Sequence, residues 1–434
     1  MPTTEVSQHS LIPAASHLAT KNVRFRTSKK TPRYFMVFST SCSPFQNWQA
    51  IAFFHFAHMI NQPGNITRLV SGCKPDEANA LRKLHKEKIS LLSDRFHLHV
   101  TPDYKVGTGD QKYWNKPNGL LDYMENVLGF PNNSAEYNDD IIIIVDPDMM
   151  LLRPVTHDFS NLQVTWEGDL SHTMVSHGKP IAQAYAYGSG WVTSLNGNLS
   201  YVVGEDSPAN DVSIPDAKKY YPAGPPYVAT AKDMYKIAVH WVKFLPRLHV
   251  LFPKMMAEMH AYSISAAHLK LPHQLSKEFM VSEVGGKEGF SFLKKISRGN
   301  ACNASFPEDN LPFVLHYCQR YSLGRWFFNK YKLREDIFDC DAPMLREPPL
   351  NLGEIYDWNI YPNGVDMHDY KDPSKQYQLV QNEWFVCKII YTLNEVVTGF
   401  KKNFCGPAAN FEKTWHFHTE ENFAKSLSNT TNPF

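Results

Sequence analysis

The chain has 434 residues, 43% hydrophobic and 13% aromatic, enough to bury one large core or two moderate ones, which excludes a generally disordered protein. Lys and Arg number 44 against 43 Asp and Glu. With no basic field to neutralise phosphates, no nucleic-acid partner is expected.

Residues 1–32 are polar, without apolar period, and read as a flexible lead-in. They lack the apolar core, roughly 7–15 residues, of a signal peptide, and no run of about 18 apolar residues follows. Either a cytosolic protein is expected, or a membrane is met only through an anchor absent from this chain. "YFMVFST" (34–40) predicts a buried strand. A helix should follow, with Ser43 as N-cap, Pro44 in its first position and Gln46 completing a capping box. "QPGN" breaks it, "ITRLVS" (66–71) predicts a second strand, 76–89 a second helix, "FHLHVT" (96–101) a third strand and "GLLDYMENVLGF" (119–130) a third helix. Alternation of this kind predicts an α/β fold with a parallel, doubly wound sheet.

"IIIIV" (141–145) is apolar at every position, as expected of a central strand covered on both faces. "DPD" follows it. Ligands of such sheets sit beyond the carboxyl ends of the strands, which places Asp146 and Asp148 where ligands bind. Two carboxylates one residue apart converge where the chain turns and suit a hard divalent cation, Pro147 stiffening the turn. An ordinary strand-ending turn is the alternative. A haloacid-dehalogenase phosphatase is a weaker one, because three strands precede this motif and Met150 stands where that class continues into Thr or Val.

Beyond a Gly/Pro/Tyr segment (220–230), helices are predicted over "AKDMYKIAVHWVKFL", over 253–269, with an apolar face of Met255, Met256, Met259, Tyr262 and Ala266, and over 383–400. A catalytic domain is expected over 33–345, and over 346–434 an extension packing on it. Cys42, Cys73, Cys302, Cys318, Cys340, Cys387 and Cys405 show no CxxC spacing, and an odd count leaves at least one thiol unpaired. Sequons beginning at Asn65, Asn132, Asn198, Asn303 and Asn429 suit a glycosylated lumenal protein.

The stretches "FSTSCSPFQNWQ", "DPDMMLLRP", "GPPYVATAKDMY", "AEMHAYSISAAHLKLPHQ", "FMVSEV" and "LHYCQRYSLGRWFFNKYKLREDIFDCDAPMLREPP" together resemble plant and algal peptidyl-serine α-galactosyltransferases and, more distantly, the hydroxyproline O-arabinosyltransferases. The resemblance covers roughly residues 34–405. It implies a GT-A-type (Rossmann-like) nucleotide-sugar-binding fold with a mainly parallel central sheet and a C-terminal helical elaboration. It also implies a retaining transferase in the Golgi or ER lumen, a UDP-sugar donor (UDP-galactose or UDP-arabinofuranose), Mn²⁺ or Mg²⁺, and a Ser- or hydroxyproline-rich protein acceptor. A non-catalytic carbohydrate- or nucleotide-binding protein of the same fold is the rival reading.

On this resemblance Asp146 and Asp148 would bind the metal, with His316 as third ligand, a core histidine being the alternative. Glu258 is read as the catalytic carboxylate near the transferred sugar, against a solvated helix charge. Lys116 and Arg153 are read as neutralising diphosphate oxygens, Ser39 and Thr40 as lining the nucleoside site, and Gly224 and Pro225 as bringing backbone close to the ligand. The pairs Tyr185/Tyr187 and Trp326/Phe327 are read first as core packing and second as an acceptor platform.

Overall fold

The structure is a computed structural model that describes residues 31–104, 113–160, 164–195, 197–286, 289–360 and 367–416. All but the last two residues of the expected lead-in, and the sequon at Asn429, lie outside these. The described residues from Arg33 onward form one compact unit.

The first half follows the alternation read from the sequence: β1 (Tyr34–Ser41), α1 (Pro44–Met59), β2 (Asn65–Ser71), α2 (Pro75–Leu84), β3 (Phe96–Thr101), α3 (Asn115–Asn126), α4 (Ser134–Tyr137) and β4 (Ile141–Val145). Ser43 caps α1 through its Oγ, which accepts from Gln46 N–H. The capping box does not close, because the Gln46 side chain turns back to accept from Ser41 N–H instead. Helix α3 begins four residues ahead of the predicted start and stops at Asn126, Gly129 following at φ 76°. Its early start puts Lys116 in its first turn.

Strands β3, β2, β1 and β4 pair in that order, all parallel. The sheet then departs from the uniformly parallel one expected. Residues 220–230 hold β8 (Ala223–Thr230), which runs antiparallel to β4 despite two prolines. Next come β7 (Ile181–Ala184), β9 (Gln274–Ser276) and β6 (Trp166–Glu167), the last antiparallel to β9. The sheet is mixed and mainly parallel, and the α/β class holds. Pairing with β4 supplies β8 with partners that its local sequence does not advertise.

Alternate residues of β4 explain why all five are apolar. Ile141, Ile143 and Val145 enter one core with α1, while Ile142 and Ile144 enter a second with α3 and the two helices after β8, α8 (Ala231–Leu251) and α9 (Ala257–His268). Between β7 and β8 lie three short helices, α5 (Trp191–Ser194), α6 (Leu199–Val203) and α7 (Ile214–Tyr220). Helix α9 starts after Met255 and Met256, and Met255 is exposed. Instead of one apolar face, α9 buries nearly every residue, Glu258 included.

A second sheet joins β5 (Met149–Leu151), β10 (Met280–Val281) and β11 (Val314–His316), and a hairpin of β12 (Arg320–Leu323) and β13 (Trp326–Asn329) follows. Beyond the short α10 (Leu352–Ile355), α11 (Gln376–Phe404) runs through the first core, where Phe385 stacks on Tyr321 at 4.5 Å. Disulfides join Cys42 to Cys73, Cys302 to Cys387 and Cys340 to Cys405, leaving Cys318 free. Among the described residues no helix is long and apolar enough to cross a membrane.

Helix α11 is locked to its surroundings by Glu383, fully buried, which accepts from Gly299 N–H at 2.9 Å and faces the N–H groups of Gly353, Ala301 and Cys302. A Cβ on Gly353 would lie 2.4 Å from Glu383 Oε2, so only glycine permits the approach. Glu383→Leu is expected to cost roughly 1–3 kcal/mol for each donor left buried without an acceptor. Glu383→Gln, which keeps an acceptor, should cost less. Urea unfolding of the two variants checks both.

Candidate functional site

The site forms at the carboxyl edge of β4. Asp146 leaves the strand half-buried, its N–H donating to Met149 Sδ at 3.4 Å. One residue on, Asp148 is buried at 5% exposure. Strand β5 begins immediately after, and β11 pairs with it so that His316 lies opposite Met149, while Tyr317 N–H donates to Asp148 C=O at 3.0 Å. That register carries His316 across 168 residues of sequence to put Nε2 3.2 Å from Asp148 Oδ1. Ligand atoms of Asp146, Asp148 and His316 all lie within 4.8 Å of one another.

Two ammonium groups complete the cluster. Lys116 Nζ lies 2.8 Å from Asp146 Oδ1 and 3.4 Å from Glu258 Oε1. Lys330, the residue after β13, pairs with Asp148 Oδ2. Burial by itself would lower both lysine pKa values, but the facing carboxylates outweigh it and raise them. Burial likewise opposes ionisation of Asp148, and Lys330 and His316 overcome it, holding the carboxyl well below its usual range. His316 is raised well above its ordinary value, against burial, with Cys318 and Asp148 favouring its proton. Its Nδ1 is buried without a partner among the described residues.

Glu258 is 5% exposed, on the first turn of α9. Burial raises its pKa, Lys116 opposing and Asp146 adding to the rise. Its Oε1 has no hydrogen-bond donor among the described residues, the 3.4 Å approach of Lys116 being an ion contact without hydrogen-bond geometry. The Tyr227 hydroxyl of β8, fully buried and also unpartnered, is raised by burial and then by the negative field of Glu258 and Asp146.

Not every expected residue joins the cluster. Arg153 Nη1 donates to Asp309 C=O at 2.9 Å and its guanidinium covers the Phe313 ring at 3.8 Å, so it is occupied away from the carboxylates. Thr40 Oγ1 accepts from Arg68 Nε at 2.8 Å, whereas Ser39, the residue before it on β1, is half-buried. Gly224 is the second residue of β8, where a Cβ would come within 2.6 Å of Tyr185 Cβ, so its closeness is to a protein side chain; Pro225 follows it in the buried strand. Trp326 and Phe327 are core or near-core rings, Trp326 meeting His416 edge-on. Tyr185 is different. Burial and the charges of Cys318, Tyr187, Glu283 and Asp146 raise its pKa, and its ring meets that of Tyr187, which is 58% exposed.

Lys330 was missed in the sequence reading. It follows Asn329 and the apolar run "WFF", a placement that does not by itself set it apart from Lys332 and the other lysines nearby.

No family model matches the chain. It is 25% identical over 339 residues to a protein of Arabidopsis thaliana named peptidyl serine alpha-galactosyltransferase, across 73% of this chain and 34% of that protein. A Chlamydomonas reinhardtii protein of the same name is 20% identical over 404 residues, across 86% of this chain and 46% of that one. The motif resemblance is borne out. The chain spans a third to just under a half of the length of these relatives. Among solved structures it is similar to the galactosyltransferase LgtC in complex with donor and acceptor sugar analogs, with a TM-score of 0.37 and 9% identity, covering 67% of this chain and 89% of that one.

Because the Lys330 side chain is 12% exposed and that of Asp148 7%, removal of one partner leaves a poorly solvated charge. Asp148→Leu and Lys330→Met alone are each expected to destabilise by about 3–5 kcal/mol, and the double variant Asp148→Leu, Lys330→Met to recover most of that loss. Denaturant titration of the two single variants and the double variant measures the coupling.

Proposed function

We propose that this protein is a GT-A-type, metal-dependent glycosyltransferase that moves a sugar, galactose in the first instance, from a UDP-sugar to the hydroxyl of a serine in a protein acceptor within the secretory pathway. The observation that carries the reading is the gathering of Asp146, Asp148 and His316 at the edge of β4 with Lys116, Lys330 and Glu258 around them. The names of the relatives supply the sugar and the acceptor. UDP-arabinofuranose and hydroxyproline remain the second donor and acceptor to be tried.

The donor set of two carboxylates and one imidazole fits a divalent cation, and the imidazole favours Mn²⁺ over Mg²⁺. Such an ion, bound there, would offset the negative charge that develops on the leaving diphosphate. The chain's own residues do the rest. Lys116 and Lys330 exchange part of their contact with Asp146 and Asp148 for diphosphate oxygens. Ser39, at the end of β1, faces the nucleoside, with Thr40 holding the strand end through Arg68. Glu258, buried and short of donors, offsets positive charge at the anomeric carbon. Tyr227 donates from beside it to a sugar or acceptor oxygen. Tyr185 and the exposed Tyr187 offer ring faces at the acceptor side. Transfer with retention follows if the leaving phosphate takes the acceptor proton on the face it departs from.

Titration with UDP, with and without Mn²⁺, followed by a screen of UDP-sugars with Ser-rich and hydroxyproline-rich peptides, tests the reading. Manganese-dependent binding with peptide-stimulated release of UDP is expected. UDP binding without turnover on any donor would instead make this a binding protein of the same fold. Asp146→Asn and Glu258→Gln should each lower kcat by roughly 10² to 10³ with the fold intact.

His316 must lose its proton to ligate, and its pKa is raised in the metal-free protein. Metal binding should therefore release a proton and weaken as pH falls, read by calorimetry in buffers of different ionisation enthalpy. An affinity independent of pH would remove His316 from the ligand set.

A further inference from the structure

We propose that this chain is N-glycosylated at Asn132, Asn198 and Asn303, and that the sequon at Asn65 is left unmodified. The inference is independent of the catalytic reading. It starts from the requirement that an acceptor asparagine stand in exposed, irregular chain with its carboxamide uncommitted and a hydroxyl two residues on.

All three asparagines satisfy it. Asn132 is exposed in the turn after Phe130 and Pro131. Its neighbour Asn133, exposed as well, lies against Gly129, where a Cβ would meet Asn133 Nδ2 at 2.4 Å, and Ser134 completes the Asn132 sequon. Asn198 is exposed at the N-cap of α6, where no side-chain capping bond occupies its carboxamide, and Ser200 follows in the first turn. Asn303 is exposed in a turn, with Ser305 exposed as well. None of the three carboxamides makes a hydrogen bond among the described residues.

Asn65 is built differently. It opens β2, an interior strand paired on one side with β1 and on the other with β3. Its sequon partner Thr67 is 2% exposed, and the Thr67 hydroxyl bonds to Tyr123. A glycan there would have to be carried at the mouth of a closed sheet.

The second observation concerns the compartment. Six of the seven cysteines pair, with Cα–Cα distances of 5.2, 5.2 and 5.4 Å, inside the range that a disulfide needs. Bridges of this number form in oxidising compartments, the same ones in which sequons are read. The modification has a defined balance. The carboxamide Nδ2 bonds to the anomeric carbon of a lipid-linked oligosaccharide diphosphate, the bond from that carbon to the diphosphate oxygen breaks with its electron pair leaving on the diphosphate, and the amide proton passes to a base. The host supplies the lipid-linked donor, and its oligosaccharyltransferase catalyses the transfer.

The full chain, secreted from a eukaryotic host behind an added leader, is mapped by peptide mass spectrometry after an amidase that converts each glycosylated Asn to Asp. Conversion is expected at Asn132, Asn198 and Asn303 and not at Asn65. Asn132→Gln, Asn198→Gln and Asn303→Gln should each remove one glycan from the intact mass, and Asn65→Gln none. Alkylation of the denatured, unreduced protein should label Cys318 alone. An unconverted site among the three, conversion at Asn65, or labelling of any further cysteine would overturn the proposal. Mapping of the unsubstituted chain decides it even if a variant is not secreted.

Discussion

The structure depends on a balance of buried charge at one edge of its sheet. Asp146, Asp148 and Glu258 meet Lys116, Lys330 and His316, three acidic groups against three basic ones, in a region where a charge on any of them would be costly alone. No element owns both signs. The carboxylates come from the end of β4 and from α9, the cations from α3, β11 and the residue after β13. The two sheets, the hairpin and two helices must therefore all be in place before the charges cancel. On the proposed reading, a divalent cation and a sugar-linked diphosphate enter with charges of opposite sign, and the lysines released by one are taken up by the other.

That dependence separates what the sequence discloses from what it hides. The strand ending in Asp146 is legible because "IIIIV" is buried on both faces, and its covering helices are legible because their caps and breakers are local. Strand β8 is not, because Gly224, Pro225 and Pro226 read as loop until the neighbouring β4 and β7 supply their partners. The start of α3 was placed too late for a similar reason: Gly119, which seems to begin the apolar run, packs inside the helix against Leu69 and Ser71. Glu258 was legible as a residue and not as an environment, since the burial of α9 on nearly every side comes from α8, from the turns at Ala186–Ser189 and Pro208–Asp211 and from β8, not from its own pattern.

Lys330 and His316 illustrate the harder case. Each reaches Asp148 through pairings set far away in sequence, the register of β11 on β5 and the β12–β13 hairpin that ends in Asn329. His316 entered the sequence reading on the strength of motif resemblance, whereas nothing local distinguished Lys330 from the lysines around it. Arg153 errs in the opposite direction. Its position after β5 looks ideal for a phosphate, yet the Phe313 ring and the Asp309 carbonyl hold it, because β5 pairs with β11 and brings the chain before Val314 against it. Proximity along the chain located the carboxylates, and only pairing between strands selected their partners.

The two aspartates of the turn are not equivalent, and the difference orders their roles. Asp148 is 5% exposed, with one oxygen on His316 and the other on Lys330, and its own carbonyl accepts from Tyr317 N–H. It is fixed on every side. Asp146 is half-buried and is held through one oxygen by Lys116, which is shared with Glu258. A group with one oxygen unpaired among the described residues and a divided partner is the one able to turn toward an arriving ligand, whereas a group held at both oxygens sets the position that the ligand must meet. Asp148 is thus the fixed point of the site, and Asp146 is joined through Lys116 to Glu258, which on the proposed reading is the carboxylate that faces the sugar.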